Sequence, residues 1–128
     1  MLVGVDVLDV NRVVKLVEND NFFNKYFTEY EKEYVKSRPY PEQSLAGIFS
    51  TKEAFLKALG IGIGGGIDLK EIEVNHYPSG KPYLILNSVK AQEKLDEFKV
   101  TAIDVSISHT DSVCTAICVL KDDKKTQD

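Results

Sequence analysis

What the chain has little of narrows it first. Only two cysteines occur in 128 residues, Cys114 and Cys118. In a strand they would point to the same face but lie about 13 Å apart along it, too far to bridge. No zinc-type spacing of Cys and His accompanies them, and the usage fits a reducing, cytoplasmic setting. Arginine is as scarce: Arg12 and Arg38 are the whole complement, and 16 Lys+Arg against 20 Asp+Glu leave a net charge of −4. Broad nucleic-acid binding needs a dense cationic surface that this balance does not supply, although a local basic patch stays open. No apolar run approaches the roughly 18 residues of a membrane span. Met1–Asp6 has no basic leader ahead of its first carboxylate, so no secretory signal is expected.

What is there is an ordinary globular mixture, 43% hydrophobic and 28% charged. At this length one compact domain is expected, burying about two-thirds of its unfolded surface. The domain is expected over 1–120, with 121–128 a charged tail that frays.

Alternation predicts a first strand over Leu2–Val7, with Val3, Val5 and Val7 on one face and Leu2, Gly4 and Asp6 on the other. A helix is expected across Asp9–Val17, its stripe made by Val10, Val13, Val14 and Leu16 or Val17. The aromatics of Phe22–Tyr34 recur at helical spacing and read as core. Ser37-Arg38-Pro39-Tyr40-Pro41 breaks the chain. The strongest helix then opens at Pro41 and stops at Gly60. The remainder reads β, over Glu71–His76, Pro82–Leu86, Thr101–Ser108 and Val113–Leu120, with a short helix over Val89–Phe98 between two hairpins. The class is α+β.

Four places can carry chemistry. Asp6 stands on an apolar strand, where a carboxylate must be paired, protonated or metal-bound, unless the strand ends early and Asp6 is solvated. Glu53 and Lys57 stand at i, i+4 on the long helix. They read either as a surface ion pair or as a second hard-oxygen ligand beside Asp6 with a cation for a phosphate. Gly60–Gly65 satisfies G-x-G-x-x-G literally, but a helix precedes it and a strand follows, which excludes a dinucleotide fold. It is a helix stop that can still bring backbone N–H groups near an anion. Ser108-His109 ends a strand; neighbouring residues face opposite ways, so Ser108 is no nucleophile for His109, and no G-x-S-x-G elbow exists. His109 reads as a phosphate-binding imidazole or a solvated turn residue, and His76 as a turn residue without a role.

The order of these pieces is specific. Gly4-Val5-Asp6-Val7 with Arg12-Val13, then Phe49-Ser50-Thr51-Lys52-Glu53-Ala54-Phe55-Leu56-Lys57, Gly80-Lys81-Pro82 and Ser106-Ile107-Ser108-His109 resemble, in sequence order, the motifs of the 4′-phosphopantetheinyl transferases. Length and layout resemble the single-domain holo-[acyl-carrier-protein] synthase branch. The resemblance implies an antiparallel sheet beside a long central helix, and a homotrimer with its active sites between subunits. It implies that Asp6 and Glu53 hold Mg²⁺ against the pyrophosphate of coenzyme A, and that Lys57 contacts a phosphate and stabilises the departing 3′,5′-ADP. It places Gly62, Gly80, Lys81 and Pro82 along the coenzyme A site, with Ser108 and His109 on its phosphates. The partner that the resemblance implies is an acidic acyl carrier protein serving fatty acid biosynthesis, expected to dock on Arg12 and Lys15, extended by Lys25. Ile48 departs from the pattern, standing where the family commonly has an arginine. Water on the metal or Glu53 would take the serine proton, and the sequence does not choose. Retention of Asp6, Glu53 and Lys57 together favours a transferase over a coenzyme A binder without catalysis.

Overall fold

The computed structural model describes residues 1–123. Its centre is α3 (Pro41–Leu59), which begins with proline in its first turn and ends at Gly60, left-handed at φ 75° with its N–H on the carbonyls of Leu56 and Lys57. Twelve of its 19 residues are buried, so it is sheathed by the rest of the chain on most of its surface. Two shorter helices precede it, α1 (Asp20–Tyr26) and α2 (Glu29–Ser37). The aromatic stretch is therefore two helices rather than one. Thr28 breaks it: its side chain accepts from the Glu31 N–H while Glu31 accepts from the Thr28 N–H, a capping box that starts α2 afresh.

A three-stranded antiparallel sheet lies on α3, in the order β1 (Leu2–Asp9), β5 (Val113–Asp122), β4 (Val100–His109). An antiparallel hairpin, β2 (Ile72–His76) with β3 (Pro82–Leu86), and α4 (Val89–Glu97) complete the fold. All the expected strands form. β1 runs two residues longer than read because Leu8 pairs with Cys114 and Asp9 with Val113, and β5 two residues longer because Lys121 pairs with Ala102 and Asp122 with Val100 on β4. Lys121 and Asp122 thus belong to β5, and 124–128 of the expected frayed tail lie outside the described residues.

The helix expected over Asp9–Val17 does not form as one α-helix. The chain makes two 3₁₀ turns, Val10–Arg12 and Val14–Glu18, joined at Val13. β-branched valines crowd a continuous helix, and the turns instead bury Val10 and Val13 while Val14 is left 46% exposed. Cys114 and Cys118 are free, and both face the core beside α3.

A buried ion pair ties the helical side together. Lys52 and Glu31 are both fully buried, with Nζ 2.6 Å from Oε1. Lys52 also donates to the carbonyls of Tyr26 and Leu69, and the other Glu31 oxygen accepts from the Val74 N–H. All three ammonium protons and both carboxylate oxygens are thereby occupied. Burial pushes Glu31 up and Lys52 down, and their mutual attraction opposes both shifts.

Candidate active site

The site begins with a glycine. A Cβ built on Gly4 would stand 2.0 Å from the Ala54 carbonyl oxygen and 2.5 Å from the Ala58 nitrogen, so β1 presses directly on the α3 backbone only because residue 4 has no side chain. Two residues along, on the same face of the strand, comes Asp6. Glu53 and Lys57 immediately precede Ala54 and Ala58, so the contact that Gly4 permits sets Asp6 beside both. Lys57 Nζ donates to Asp6 Oδ1 at 3.0 Å, the aspartate side chain 13% exposed and the lysine 54%. Asp6 lies mid-strand and paired, which settles the choice that the sequence left open. Lys57 has its ion pair with Asp6 across two elements, not with Glu53 along the helix.

Glu53 is half-buried. Its carboxyl is held above the ordinary range first by burial, then by the negative charge of Asp6, and Lys57 partly offsets both. Two carboxylates that repel each other at a half-open site suit a divalent cation. Among the described residues no group of three or more His, Cys, Asp or Glu could hold a metal. The donor set is therefore two hard oxygens, which fits an ion such as Mg²⁺ that completes its octahedron with water and phosphate oxygens.

The remaining predicted residues fall elsewhere. A cleft of about 640 Å³ opens between the start of α3, the end of β2 and the end of β4, and Gly80, Pro82 and His109 line it together with Ile48. Asp6, Glu53 and Lys57 are not among its walls. Glu53 and Lys57 lie about 8–14 Å further along α3 than Ile48, at 1.5 Å per residue. Gly62 belongs to the α3 exit rather than to this cleft, and a Cβ built on it would meet nothing within 4 Å. Lys81 is not a lining residue; it reaches Asp104 at 3.0 Å, where its hydrogen bond and charge lower that carboxyl's pKa. Ser108 projects from the other sheet face, opposite Thr115, while His109 shares the inner register with Cys114. Arg12, Lys15 and Lys25 are all exposed, the first two on separate 3₁₀ turns.

Sequence reasoning missed the cleft's aromatic wall. His76 is no idle turn residue: its ring stacks on Tyr34 with centroids 3.9 Å apart and 9° between planes, and its Nδ1 is 3.1 Å from the Tyr30 hydroxyl. Burial, then the nearby Arg38 charge, lowers its pKa. The Arg38 guanidinium lies over the same Tyr34 ring, 5.3 Å from its centroid. Tyr34, Arg38, Tyr40 and His76 all line the cleft. The only local signal was the Pro39/Pro41 frame; the meeting of α2 with β2 is tertiary.

The profile of the 4′-phosphopantetheinyl transferase superfamily matches residues 2–118. A holo-[acyl-carrier-protein] synthase of Syntrophus aciditrophicus is 41% identical over 120 residues, 92% of this chain and 93% of that one. The Helicobacter pylori holo-[acyl-carrier-protein] synthase, solved in complex with coenzyme A, superposes with a TM-score of 0.80 at 29% identity, covering 94% of this chain and all of that one (100%). A Bacillus anthracis holo-(acyl-carrier-protein) synthase in complex with CoA (3′,5′-ADP) gives a TM-score of 0.78 at 31% identity, over 95% and 96% of the two chains. The chain therefore belongs to the 4′-phosphopantetheinyl transferase superfamily, as its ordered motifs imply. Within it, these relatives are holo-[acyl-carrier-protein] synthases that this chain matches over more than nine-tenths of its length.

Proposed function

We propose that this protein transfers 4′-phosphopantetheine from coenzyme A to a serine of an apo-acyl carrier protein, releasing 3′,5′-ADP, with Mg²⁺ as its cation. The single observation carrying this is the convergence of Asp6, Glu53 and Lys57 from β1 and α3. Asp6 and Glu53 would hold the cation, which when bound neutralises the coenzyme's pyrophosphate charge. The serine oxygen forms a bond to the phosphorus next to pantetheine, and the bond from that phosphorus to the bridging oxygen of 3′,5′-ADP breaks. The serine proton passes to Glu53, and the Lys57 ammonium stabilises the charge left on the 5′-phosphate oxygen of the departing 3′,5′-ADP. Such chemistry asks the protein mainly for position and charge.

A homotrimer with sites between subunits accounts for two features. The outer sheet face exposes Val3 (56%), Val5 (54%), Val7 (66%) and Ile117 (41%) side by side, an apolar strip suited to burial against another copy. The carboxylate cluster and the cleft also lie on different parts of one chain, so a neighbour's cleft can complete the site. Ser108, on that same outer face, would reach coenzyme A at such a boundary. Arg12, Lys15 and Lys25 would steer the acidic carrier more than tighten it. The setting of that reaction is the cytoplasm, where it serves fatty acid biosynthesis.

Intact mass spectrometry of an apo-acyl carrier protein incubated with this protein, coenzyme A and Mg²⁺ tests the reading. A phosphopantetheine adduct that EDTA abolishes is expected. No adduct on any carrier offered, despite coenzyme A binding, would sink it.

A further inference from the structure

One polar atom in the core has no partner. Ser50 is fully buried on α3, and its hydroxyl oxygen is the one buried side-chain oxygen or nitrogen among the described residues without a hydrogen bond. The helix itself does not force this. Thr51, the next residue, donates to the Gly47 carbonyl one turn back at 2.7 Å, the usual local outlet for a helical hydroxyl. Ser50 leaves the equivalent outlet on Ala46 unused. A buried hydroxyl without a hydrogen bond costs free energy, and each one in a native fold calls for an explanation.

Three observations place that hydroxyl beside Asp6. β1 runs opposite to α3, with Gly4 on Ala54 and Ala58 and Leu8 paired to Cys114, whose sulfur would lie 4.0 Å from a Cβ on Gly47. Asp6 is midway between Gly4 and Leu8 on the same face, which brings it level with residues 50–54. Next, burial raises the pKa of the Cys114 thiol, the Ser50 hydroxyl lowers it and the Asp6 charge raises it, so thiol, hydroxyl and carboxylate share one neighbourhood. A thiol is a weak partner and does not satisfy the hydroxyl. Finally, Ser50 precedes Glu53 by three residues, which sets the two on one side of the helix. Asp6 has only one oxygen committed, Oδ1 accepting from Lys57 Nζ at 3.0 Å, although its side chain is 13% exposed.

We propose that Ser50 is a positioning residue of the transfer site: its hydroxyl donates to Asp6 when Lys57 turns to the phosphate, and so keeps that carboxylate in place for the cation. This rests on the functional reading above, in which Lys57 serves the departing 3′,5′-ADP and Asp6 is left to the cation. A carboxylate that ligates a metal is itself held by hydrogen bonds, and the uncommitted hydroxyl of Ser50 supplies one from the core side. Ser50 takes no part in the covalent step.

Ser50→Ala separates positioning from packing, because stability and cation binding should move in different directions. Losing a buried, unpartnered hydroxyl should leave the unfolding midpoint unchanged or raise it. Mn²⁺, titrated by electron paramagnetic resonance into the protein with coenzyme A bound and no carrier present, should bind about 10–100-fold more weakly than to the wild type. Coenzyme A affinity, measured by calorimetry in EDTA, should not change. Mn²⁺ affinity equal to that of the wild type would overturn the assignment. So would a parallel loss of coenzyme A affinity in EDTA or a lowered unfolding midpoint, since each marks a general distortion of α3. The two readings fail separately. Mn²⁺ uptake that Ser50→Ala weakens, without modification of any carrier, would remove the transferase and keep Ser50 as a support of the cation site. Carrier modification that EDTA abolishes, with Mn²⁺ uptake indifferent to Ser50, would remove this assignment alone.

Discussion

At the scale of single residues, charge sets what the site can do. Glu53 sits half-buried facing Asp6, and its carboxyl is harder to ionise than usual because burial and a like charge both oppose it. Glu53→Gln keeps the shape and removes the negative charge and one carboxylate oxygen, and with them the proposed cation ligand and proton acceptor. Carrier modification should fall below detection while the unfolding midpoint stays put; wild-type-like turnover in the same mass assay would refute the role. Lys57 is mostly in solvent and held by Asp6. In the proposed reaction its cation matters most when negative charge grows on the leaving group, so Lys57→Ala should lower kcat by about 10²–10³ with a small change in KM for coenzyme A. A change confined to KM would make Lys57 a ground-state contact instead.

At the scale of elements, two contacts hold the site's frame. The first is β1 on α3 at Gly4, where a methyl would meet backbone atoms at 2.0 and 2.5 Å. Neither atom can swing aside, so Gly4→Ala should cost about 3 kcal/mol, lowering the melting temperature by roughly 10 °C, and should depress transfer by moving Asp6 off Glu53. Unchanged melting would show that the strand need not touch the helix. The second is the Lys52–Glu31 pair, which joins α3 to α1, α2 and β2. Lys52→Met leaves a buried carboxylate without its cation and should cost about 3–5 kcal/mol in denaturant unfolding. Adding Glu31→Gln should restore part of that, because the orphaned charge goes with it; no recovery would show that the charge is not what matters. Little of this was visible in the chain. Helix α3 declared itself by Pro41, its apolar recurrence and Gly60, all within one stretch. That Lys52 turns inward, beside an outward Glu53, depends on Glu31 arriving from 21 residues away.

At the scale of the whole molecule, the sheet has one face on α3 and one face bare. Val3, Val5, Val7 and Ile117 on the bare face would be covered if three copies assemble and a neighbour's cleft meets each carboxylate cluster. Ile117→Lys should dissociate that assembly, giving a monomer by light scattering with its circular dichroism unchanged, and transfer should disappear with it. An Ile117→Lys protein that remains a trimer and active would place the interface elsewhere. The alternation of β1 announced the two faces, but not which of them the helix would occupy. Gly4 decides that, since only its side of the strand can approach a helix backbone.

By itself the sequence determined what local chemistry controls. Proline and glycine bracket α3, period-two runs make the five strands, and four motifs in order identify the family and nominate Asp6, Glu53 and Lys57. Those features are short-range, so neighbours along the chain suffice to read them. It misjudged Asp9–Val17, where side-chain crowding and the burial of Val10 and Val13 favour two tight turns over one helix. Only the tertiary structure decided that Lys57 pairs with Asp6 rather than Glu53, that Lys81 turns to Asp104, and that Arg38, Tyr34 and His76 share one wall of a cleft. Each of those depends on elements far apart in sequence being pressed together by burial of the core. No spacing along the chain records which side chains such packing brings within reach.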